Sequence, residues 1–417
     1  MAVSCNSTPS KMVTIKEKKD GSFELLIHGK PVYIKGVGGT FKLDIAAQSG
    51  ANAFRTWGGS VASIGRDLEK AREHNMYIMQ GIGMTKDSAS YHNEEYKNKM
   101  RESVKELATH FKDDPNIFIW CIGNEIDLGN ANNEVSWSFV EELAGIIKSI
   151  DQNHLVGTVI AHNAKALEFI ASVCPSLDMI GINSYGSIGQ VASMVEKSSY
   201  KGAYMITEWG PTGFWERQKT SWGAPLEQTS EEKRLVYEER YTQHIRGAKR
   251  CLGSFVFLWG QKEERTPTWF SMFVEHNVEG LPLNGEKTPM VEAMQRVWNN
   301  REPEQTAPVI KDFTINGKKA IDNIYIAPNA SFTGKVNATD KEGDRLTYVW
   351  EVLKEATVLG FGGSYEPRPD RIGVVVTTEV DQVELRIKEE GNYRLYVYVL
   401  DGTGFVATVN APFQVKR

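Results

Sequence analysis

From Val32 to Asn299, short continuous apolar runs alternate with stretches whose apolar residues recur every three or four positions. Short β-branched-rich runs bounded by turn residues predict buried strands, and the three-to-four spacing predicts amphipathic helices. Strands are expected at Val32–Val37, Ala51–Trp57, Met76–Ile82, Ile117–Ile122, His154–Ile160, Leu177–Ile182, Tyr204–Thr207 and Ser254–Trp259. Helices are expected between them at Leu43–Gly50, Val61–His74, Glu94–Lys112, Glu134–Ile150, Ala164–Val173, Ile188–Lys197 and Ser230–Lys249, with Ser230 as the cap of the last. Val291–Asn299 closes the series. Met100, Val104, Leu107, Ala108 and Phe111 share one face of the third helix. Pro115 ends that helix, because proline disfavours helical geometry in the residue before it. Ahead of the first strand, Met12–Ile27 alternates into a turn at Lys19-Asp20-Gly21, the pattern of a β-hairpin. Eight strand–helix units over about 250 residues are what a (β/α)8 TIM barrel needs.

The pattern changes at Arg301–Pro308, a polar, proline-bearing linker, beyond which helical spacing disappears. Ile324–Ile326, Leu346–Val352, Gly373–Thr377, Val383–Ile387, Tyr393–Leu400 and Val406–Val415 read as strands, enough for a small β-sandwich. Ala338–Trp350 and Tyr393–Gly402 resemble bacterial immunoglobulin-like modules of the PKD type. The expected fold class is therefore α/β, a TIM barrel followed by an all-β immunoglobulin-like sandwich. The expected organisation is a tail at 1–11, a barrel with its hairpin at 12–300, a linker at 301–308 and the sandwich at 309–417. Asp340, Glu342 and Asp344 could suggest calcium, but a solvated turn is the better reading of acidic residues there.

With 41% hydrophobic and 24% charged residues among 417, the composition is that of an ordinary globular protein long enough for two domains. A net charge of -5 offers no basic footprint for nucleic acid. No apolar run approaches the roughly 18 residues of a membrane span. Small residues before Cys5 and a polar stretch after it read as the mature end of a bacterial lipoprotein, or equally as a plain polar tail. On the first reading Cys5 would carry a lipid anchor and the protein would be extracytoplasmic, in a bacterial periplasm or at the cell surface. Cys121, Cys174 and Cys251 lie in or beside apolar segments without CxxC spacing, which points to buried free thiols.

The chemistry gathers where predicted strands end. The run Ile117–Ile122 stops at Gly123-Asn124-Glu125, and Tyr204–Thr207 stops at Glu208-Trp209-Gly210. In a parallel barrel the carboxyl ends of the strands carry the active site. Taken alone, Asn124-Glu125 reads just as well as the cap of the next turn. The other strand exits add Arg55, Trp57, Asn183, Tyr185 and Trp259, and the long loop after Glu208 adds Trp215. Two carboxylates facing each other across a mouth lined with indoles suit glycosidic bond cleavage. One carboxyl group protonates the leaving oxygen while the other meets the oxocarbenium-like centre. Aromatic rings stack on the CH faces of sugars, so the expected partner is a carbohydrate. The expected substrate-contacting set is Arg55, Trp57, Asn124, Asn183, Tyr185, Trp209, Trp215 and Trp259. No metal or cofactor is needed.

The motifs resemble those of clan A glycoside hydrolases, most nearly the TIM-barrel domain of family 2. His28-Gly-Lys-Pro-Val-Tyr-Ile-Lys-Gly-Val37 resembles the start of that barrel, Ile122-Gly-Asn-Glu125 its acid/base motif and Ile206-Thr-Glu-Trp-Gly210 its nucleophile motif. The resemblance implies Glu125 as acid/base, Glu208 as nucleophile and Asn124 as a ligand of the sugar 2-hydroxyl. It implies that Arg55 and Tyr185 hold the nucleophile and that Trp259 lies under the sugar. Gly38-Gly39-Thr40 and Thr56-Trp-Gly-Gly59 depart from the histidine-bearing loops of many members, and no sandwich domains precede the barrel in this sequence. These implications describe a retaining β-glycoside hydrolase, with a β-glucan as the favoured substrate. In that scheme the ionised Glu208 raises the pKa of Glu125 by like-charge repulsion, and Arg55 keeps Glu208 ionised. A transglycosylase would use the same residues. A non-catalytic surface glycan-binding protein would account for the sandwich and the anchor, but binding alone does not require both glutamates.

Overall fold

Eight parallel strands close into a barrel in chain order: Ile34–Gly38, Ala53–Arg55, Tyr77–Ile82, Ile117–Asn124, Leu155–Ile160, Met179–Asn183, Ala203–Trp209 and Cys251–Val256. The eighth strand pairs back on the first, Gly253 beside Ile34 and Val256 beside Val37. This computed structural model describes residues 11–417, so Cys5 and its expected anchor lie outside the described residues. The described residues form two compact units. The barrel unit runs to Trp209 and takes back Gln243–Val256; the second comprises Gly210–Thr242 and Phe257–Arg417.

Within the barrel unit the expected helices form at Leu43–Gln48, Val61–Glu73, Glu94–Phe111, Glu134–Ile150 and Ala164–Val173, and the sixth shortens to Val191–Lys197. Side chains of Ser60, Asn93, Asn133 and Asn163 cap four of them by accepting first-turn N–H groups. The expected hairpin pairs Val13–Glu17 with Phe23–Ile27, and Lys30–Val32 adds a third strand. Val13, Leu25 and Ile27 join Phe118, Ile119, Leu155, Met179 and Phe255 in one buried cluster. The hairpin therefore plugs the amino-terminal end of the barrel and leaves the carboxyl end for chemistry. Gly36 is needed in the first strand, where a Cβ would stand 2.2 Å from the Phe255 ring.

The eighth strand begins at Cys251 and ends at Val256, three residues short of the expected Trp259. The apolar run continues past the ladder because Phe257 and Trp259 are buried without being strand. The helix expected over Ser230–Lys249 stops at Arg240 and gives way to a wider turn at Tyr241–Ile245. Its cap is Thr229 rather than Ser230, in a reciprocal capping box with Glu232.

In the second unit, Val309–Ile315, Ser331–Thr339 and Gln382–Arg386 make a three-stranded antiparallel sheet. Ile324–Ile326, Val406–Val415, Gly391–Leu400, Thr347–Lys354 and Arg371–Thr378 make a five-stranded mixed sheet. Phe313, Phe332, Val336, Trp350, Leu395, Val397 and Phe413 pack both sheets around one core. The other face of the five-stranded sheet is also covered, with Val349, Leu353, Tyr396 and Tyr398 against Val274, Leu281 and Leu283. That cover explains why the compact units divide differently from the expected 12–300 and 309–417. The segment 257–300 packs on this sheet, so the second unit draws residues from both sides of 301–308.

A buried ion pair ties the same unit together. Lys233 and Glu227, each with a side chain 1% exposed, face each other. Lys233 also donates to the Thr268 carbonyl at 2.6 Å. Glu227 accepts from Thr266 Oγ1 at 2.6 Å, Thr268 Oγ1 at 2.8 Å and Asn410 Nδ2 at 2.7 Å. Removing one partner of such a pair strands a desolvated charge, which costs about 3–5 kcal/mol. Lys233→Met should lower the chemical denaturation midpoint accordingly, and adding Glu227→Gln should recover more than half of the loss. Equal midpoints for Lys233→Met and the parent would show that water reaches Glu227.

Candidate active site

Side chains alternate faces along a strand, so neighbours such as Asn124 and Glu125 would ordinarily point apart. Here the backbone turns at Glu125 into the left-handed region, φ 53° and ψ 39°. A non-glycine residue there costs about 1–3 kcal/mol and persists only where surrounding contacts impose it. Part of that imposition is visible: the Glu125 N–H donates to the Val159 carbonyl at 2.8 Å. The turn brings Asn124 and Glu125 onto one hydrogen-bonded constellation.

Its hub is Arg55, at the end of the second barrel strand and only 2% exposed. Nη1 donates to Glu208 Oε1 at 3.0 Å, to the Thr207 carbonyl at 2.7 Å and to Asn183 Oδ1 at 3.4 Å. Nη2 donates to Asn124 Oδ1 at 2.6 Å. Glu208 Oε1 also accepts from Trp57 Nε1 at 2.8 Å, and its Oε2 accepts from the Tyr185 hydroxyl at 3.1 Å. Three donors thus hold both oxygens of Glu208 in fixed orientation.

Asn183 links the two acids. Its Nδ2 donates to Glu125 Oε1 at 3.0 Å and to Asn124 Oδ1 at 3.2 Å, while its Oδ1 accepts from Thr207 Oγ1 at 2.7 Å. Asn124 Oδ1 is engaged by both Arg55 and Asn183, so what Asn124 can offer a ligand is its amide N–H2. Lys86 Nζ lies 3.4 Å from Glu125 Oε2.

Glu125 and Glu208 sit in different electrostatic settings. Burial pushes the Glu125 carboxyl up to about 7, with the Glu208 charge as the second cause and Lys86 acting the other way. The order of causes differs from the sequence expectation, in which like-charge repulsion stood alone. Asp127, two residues on, is also held above its usual range by burial, and its Oδ1 accepts the Ala161 N–H at 3.1 Å.

The structure thus brings together Arg55, Trp57, Asn124, Glu125, Asn183, Tyr185 and Glu208. Trp57 and Asn183, expected to touch substrate, direct these polar groups to protein partners and act on the two glutamates. Trp209 is in the seventh strand and 0% exposed, so it presents no ring to a ligand. Trp259 is likewise 0% exposed and packs edge-on to Phe273 in the second unit. Trp215, also in the second unit, is 53% exposed and stands against Phe214 and Phe270. Sequence reasoning missed Thr207 and Lys86; a threonine inside an apolar run and a lysine in a polar loop carry no distinguishing signal. Among the described residues, ligand atoms of Asp340, Asp344 and Asp401 come within 4.8 Å of one another. Glu342, named beside Asp340 and Asp344 in the sequence, is not in this group and instead accepts from the Thr306 hydroxyl. Acidic groups at such spacing are common without an ion.

Residues 68–222, a span that includes both Glu125 and Glu208, match the model of the glycosyl hydrolases family 2 TIM barrel domain. The motif resemblance to that domain is thereby borne out. Over 68 residues the chain is 32% identical to mannan endo-1,4-β-mannosidase F of Aspergillus clavatus, covering 16% of each chain. Over 84 residues it is 30% identical to a probable mannan endo-1,4-β-mannosidase A-2 of Aspergillus terreus, covering 20% of this chain and 21% of that protein. A family 2 β-galacturonidase from Eisenbergiella tayi, solved with galacturonate, overlays with a TM-score of 0.51 at 15% identity, over 70% of this chain and 54% of its own. β-Glucuronidase 2 of Bacteroides uniformis overlays with a TM-score of 0.51 at 13% identity, over 97% of this chain and 48% of its own. The chain spans about half the length of these solved structures and about a fifth of the curated relatives. The overlays establish the fold.

The electrostatics give a direct test. The carboxyl carbon of Glu125 should titrate by 13C NMR with a midpoint of about 7. Glu208→Gln removes the second cause of that elevation, so the midpoint should fall while staying above the usual glutamate range, because burial remains. An unmoved midpoint would mean that the two carboxyl groups do not sense each other.

Proposed function

From the family 2 barrel match as premise, we propose that the chain is a retaining β-glycoside hydrolase that cleaves β-linked oligo- or polysaccharides by double displacement. The observation that carries this reading is the asymmetry of the two buried glutamates. Glu208 is held in place by donors from Arg55, Trp57 and Tyr185, whereas burial pushes the Glu125 carboxyl up to about 7. One is prepared to attack and the other to give and take a proton.

In the first step a Glu208 oxygen bonds to the anomeric carbon as the glycosidic C–O bond breaks. Glu125 passes its proton to the departing oxygen. Loss of that proton leaves Glu125 as a carboxylate, now beside a Glu208 neutralised by esterification. In the second step Glu125 takes a proton from water, whose oxygen displaces Glu208 and restores the β-configuration. In this reading the N–H2 of Asn124 donates to the sugar 2-hydroxyl, where hydrogen bonds strengthen in the transition state. Arg55, Trp57 and Tyr185 keep the nucleophile oriented, so little reorganisation accompanies the reaction.

The favoured substrate class remains a β-glucan, on the breadth of such activities in clan A. The local identity to two proteins named as mannan endo-1,4-β-mannosidases makes β-1,4-mannan the next polysaccharide to screen. A purely glycan-binding role has no use for a proton-bearing glutamate beside a triply hydrogen-bonded carboxylate.

Azide rescue separates the two roles. Glu208→Ala lacks its nucleophile, and azide entering from that side should give an α-glycosyl azide. Glu125→Ala should still form the glycosyl-enzyme from an activated aryl glycoside, and azide should resolve it to the β-product. With a poor leaving group, Glu125→Ala should lose about 10²–10⁴-fold in kcat/KM, the usual contribution of general acid catalysis. The same anomer from both variants would overturn the retaining assignment.

A further inference from the structure

We propose that Lys86, on the loop after the third barrel strand, is a positioning residue for the acid/base, its ammonium holding the Glu125 carboxyl group by the oxygen that Asn183 does not hold. The proposal rests on the reading of Glu125 given above. Asn183 Nδ2 donates to Oε1 at 3.0 Å, and Lys86 Nζ stands 3.4 Å from Oε2. At 3.4 Å the contact is an ion pair rather than a tight hydrogen bond, which leaves Oε2 room to reach a leaving oxygen.

A surface lysine ordinarily swings freely, and an exposed ion pair is worth little. Lys86 differs because its backbone is pinned. The Thr85 carbonyl accepts from the Tyr91 hydroxyl at 2.7 Å, and the Thr85 N–H donates to Tyr96 Oη at 3.2 Å. The next residues lock onto the loop that follows Glu125. The Ser88 N–H donates to Asn130 Oδ1 at 2.6 Å, and Asn130 Nδ2 donates to Asp87 Oδ1 at 3.4 Å. The two loops press so closely that a Cβ on Gly129 would stand 2.1 Å from the Lys86 carbonyl oxygen. The lysine loop and the acid/base loop are thus fastened to each other, and the Lys86 side chain starts from a fixed backbone and ends against Glu125.

The groups acting on Glu125 define what that cation does. Burial, the Glu208 charge and Asp127 all favour the proton-bearing form; Lys86 and the Asn183 amide favour the carboxylate. Arg55 is committed to Glu208, Thr207, Asn183 and Asn124. An acid that binds its proton too tightly donates poorly, and general acid–base catalysis is best with a pKa near the working pH. Lys86 supplies the charge that offsets burial and two neighbouring carboxyl groups, keeping Glu125 able to release its proton in the first step.

The test compares the full chain with Lys86→Met and Lys86→Arg, with thermal midpoints confirming that each is folded. Glu125 is followed by 13C carboxyl titration, its signal assigned with Glu125→Gln. Lys86→Met should raise the Glu125 midpoint and carry the alkaline limb of kcat/KM upward by about one pH unit, the low end of what a neighbouring opposite charge gives. Lys86→Arg should restore most of the parent value. With phenyl and 2,4-dinitrophenyl β-glucosides as probes, Lys86→Met should slow the phenyl glucoside several-fold more than the dinitrophenyl one, which needs little protonation. An unmoved titration midpoint in folded Lys86→Met, or an equal loss on both glucosides, overturns the proposal. The parent reading fails separately: if Glu125→Gln still turns over the phenyl glucoside at the parent rate, Glu125 is not the acid, whatever the Lys86 titration shows.

Discussion

A guanidinium with 2% of its surface exposed is the constraint on which the active end of the barrel depends. Taking such a charge out of water costs several kcal/mol unless its N–H groups and its charge are met. Arg55 is met by Asn124, Asn183, the Thr207 carbonyl and Glu208, contributed by the fourth, sixth and seventh strands. Trp57 lies within 5.1 Å of the guanidinium and completes the hold on the same Glu208 oxygen. Satisfying one buried cation therefore fixes residues from half of the barrel relative to one another. A change at any of them disturbs the rest, because the acceptor oxygens of Glu208, Asn183 and Asn124 each serve a second donor.

The same sharing places two residues of one type in two different surroundings. Glu208 receives three donors and the nearest full positive charge. Glu125 receives one amide donor and a longer contact to Lys86. Burial acts on a carboxyl group by penalising its charged form, and it prevails where compensating donors are few. The asymmetry thus follows from how donors are distributed, with the left-handed turn at Glu125 deciding which groups that residue can reach.

The second unit solves a comparable problem with different residues. Lys233 and Glu227 are buried together and their remaining valences are met by Thr266, Thr268 and Asn410. Arg368 likewise joins Glu275 to Glu351. These contacts bind segments far apart in the chain, from 227 to 410, into one body. They are why the polar, proline-bearing stretch 301–308 is not where the compact units divide.

How much of this could be read from sequence follows from what periodicity measures. Apolar runs report burial, and burial coincided with strand for seven of the barrel strands to within a few residues. It failed at Phe257 and Trp259, which are buried beyond the end of the eighth ladder. Glu125, Glu208, Asn124, Arg55 and Tyr185 were legible because strand exits converge in a parallel barrel, so one-dimensional position carried three-dimensional meaning. Trp209 was misjudged because an indole at a strand exit can turn inward as readily as outward. Lys86 had no such cue. Its place depends on two loops gripping each other through Asn130, Ser88 and the bare backbone of Gly129, and each of those residues alone reads as ordinary polar loop. Loop-borne groups near a barrel mouth are therefore invisible until the loops are docked, even where, as at Glu125 Oε2, they stand beside a buried carboxyl group.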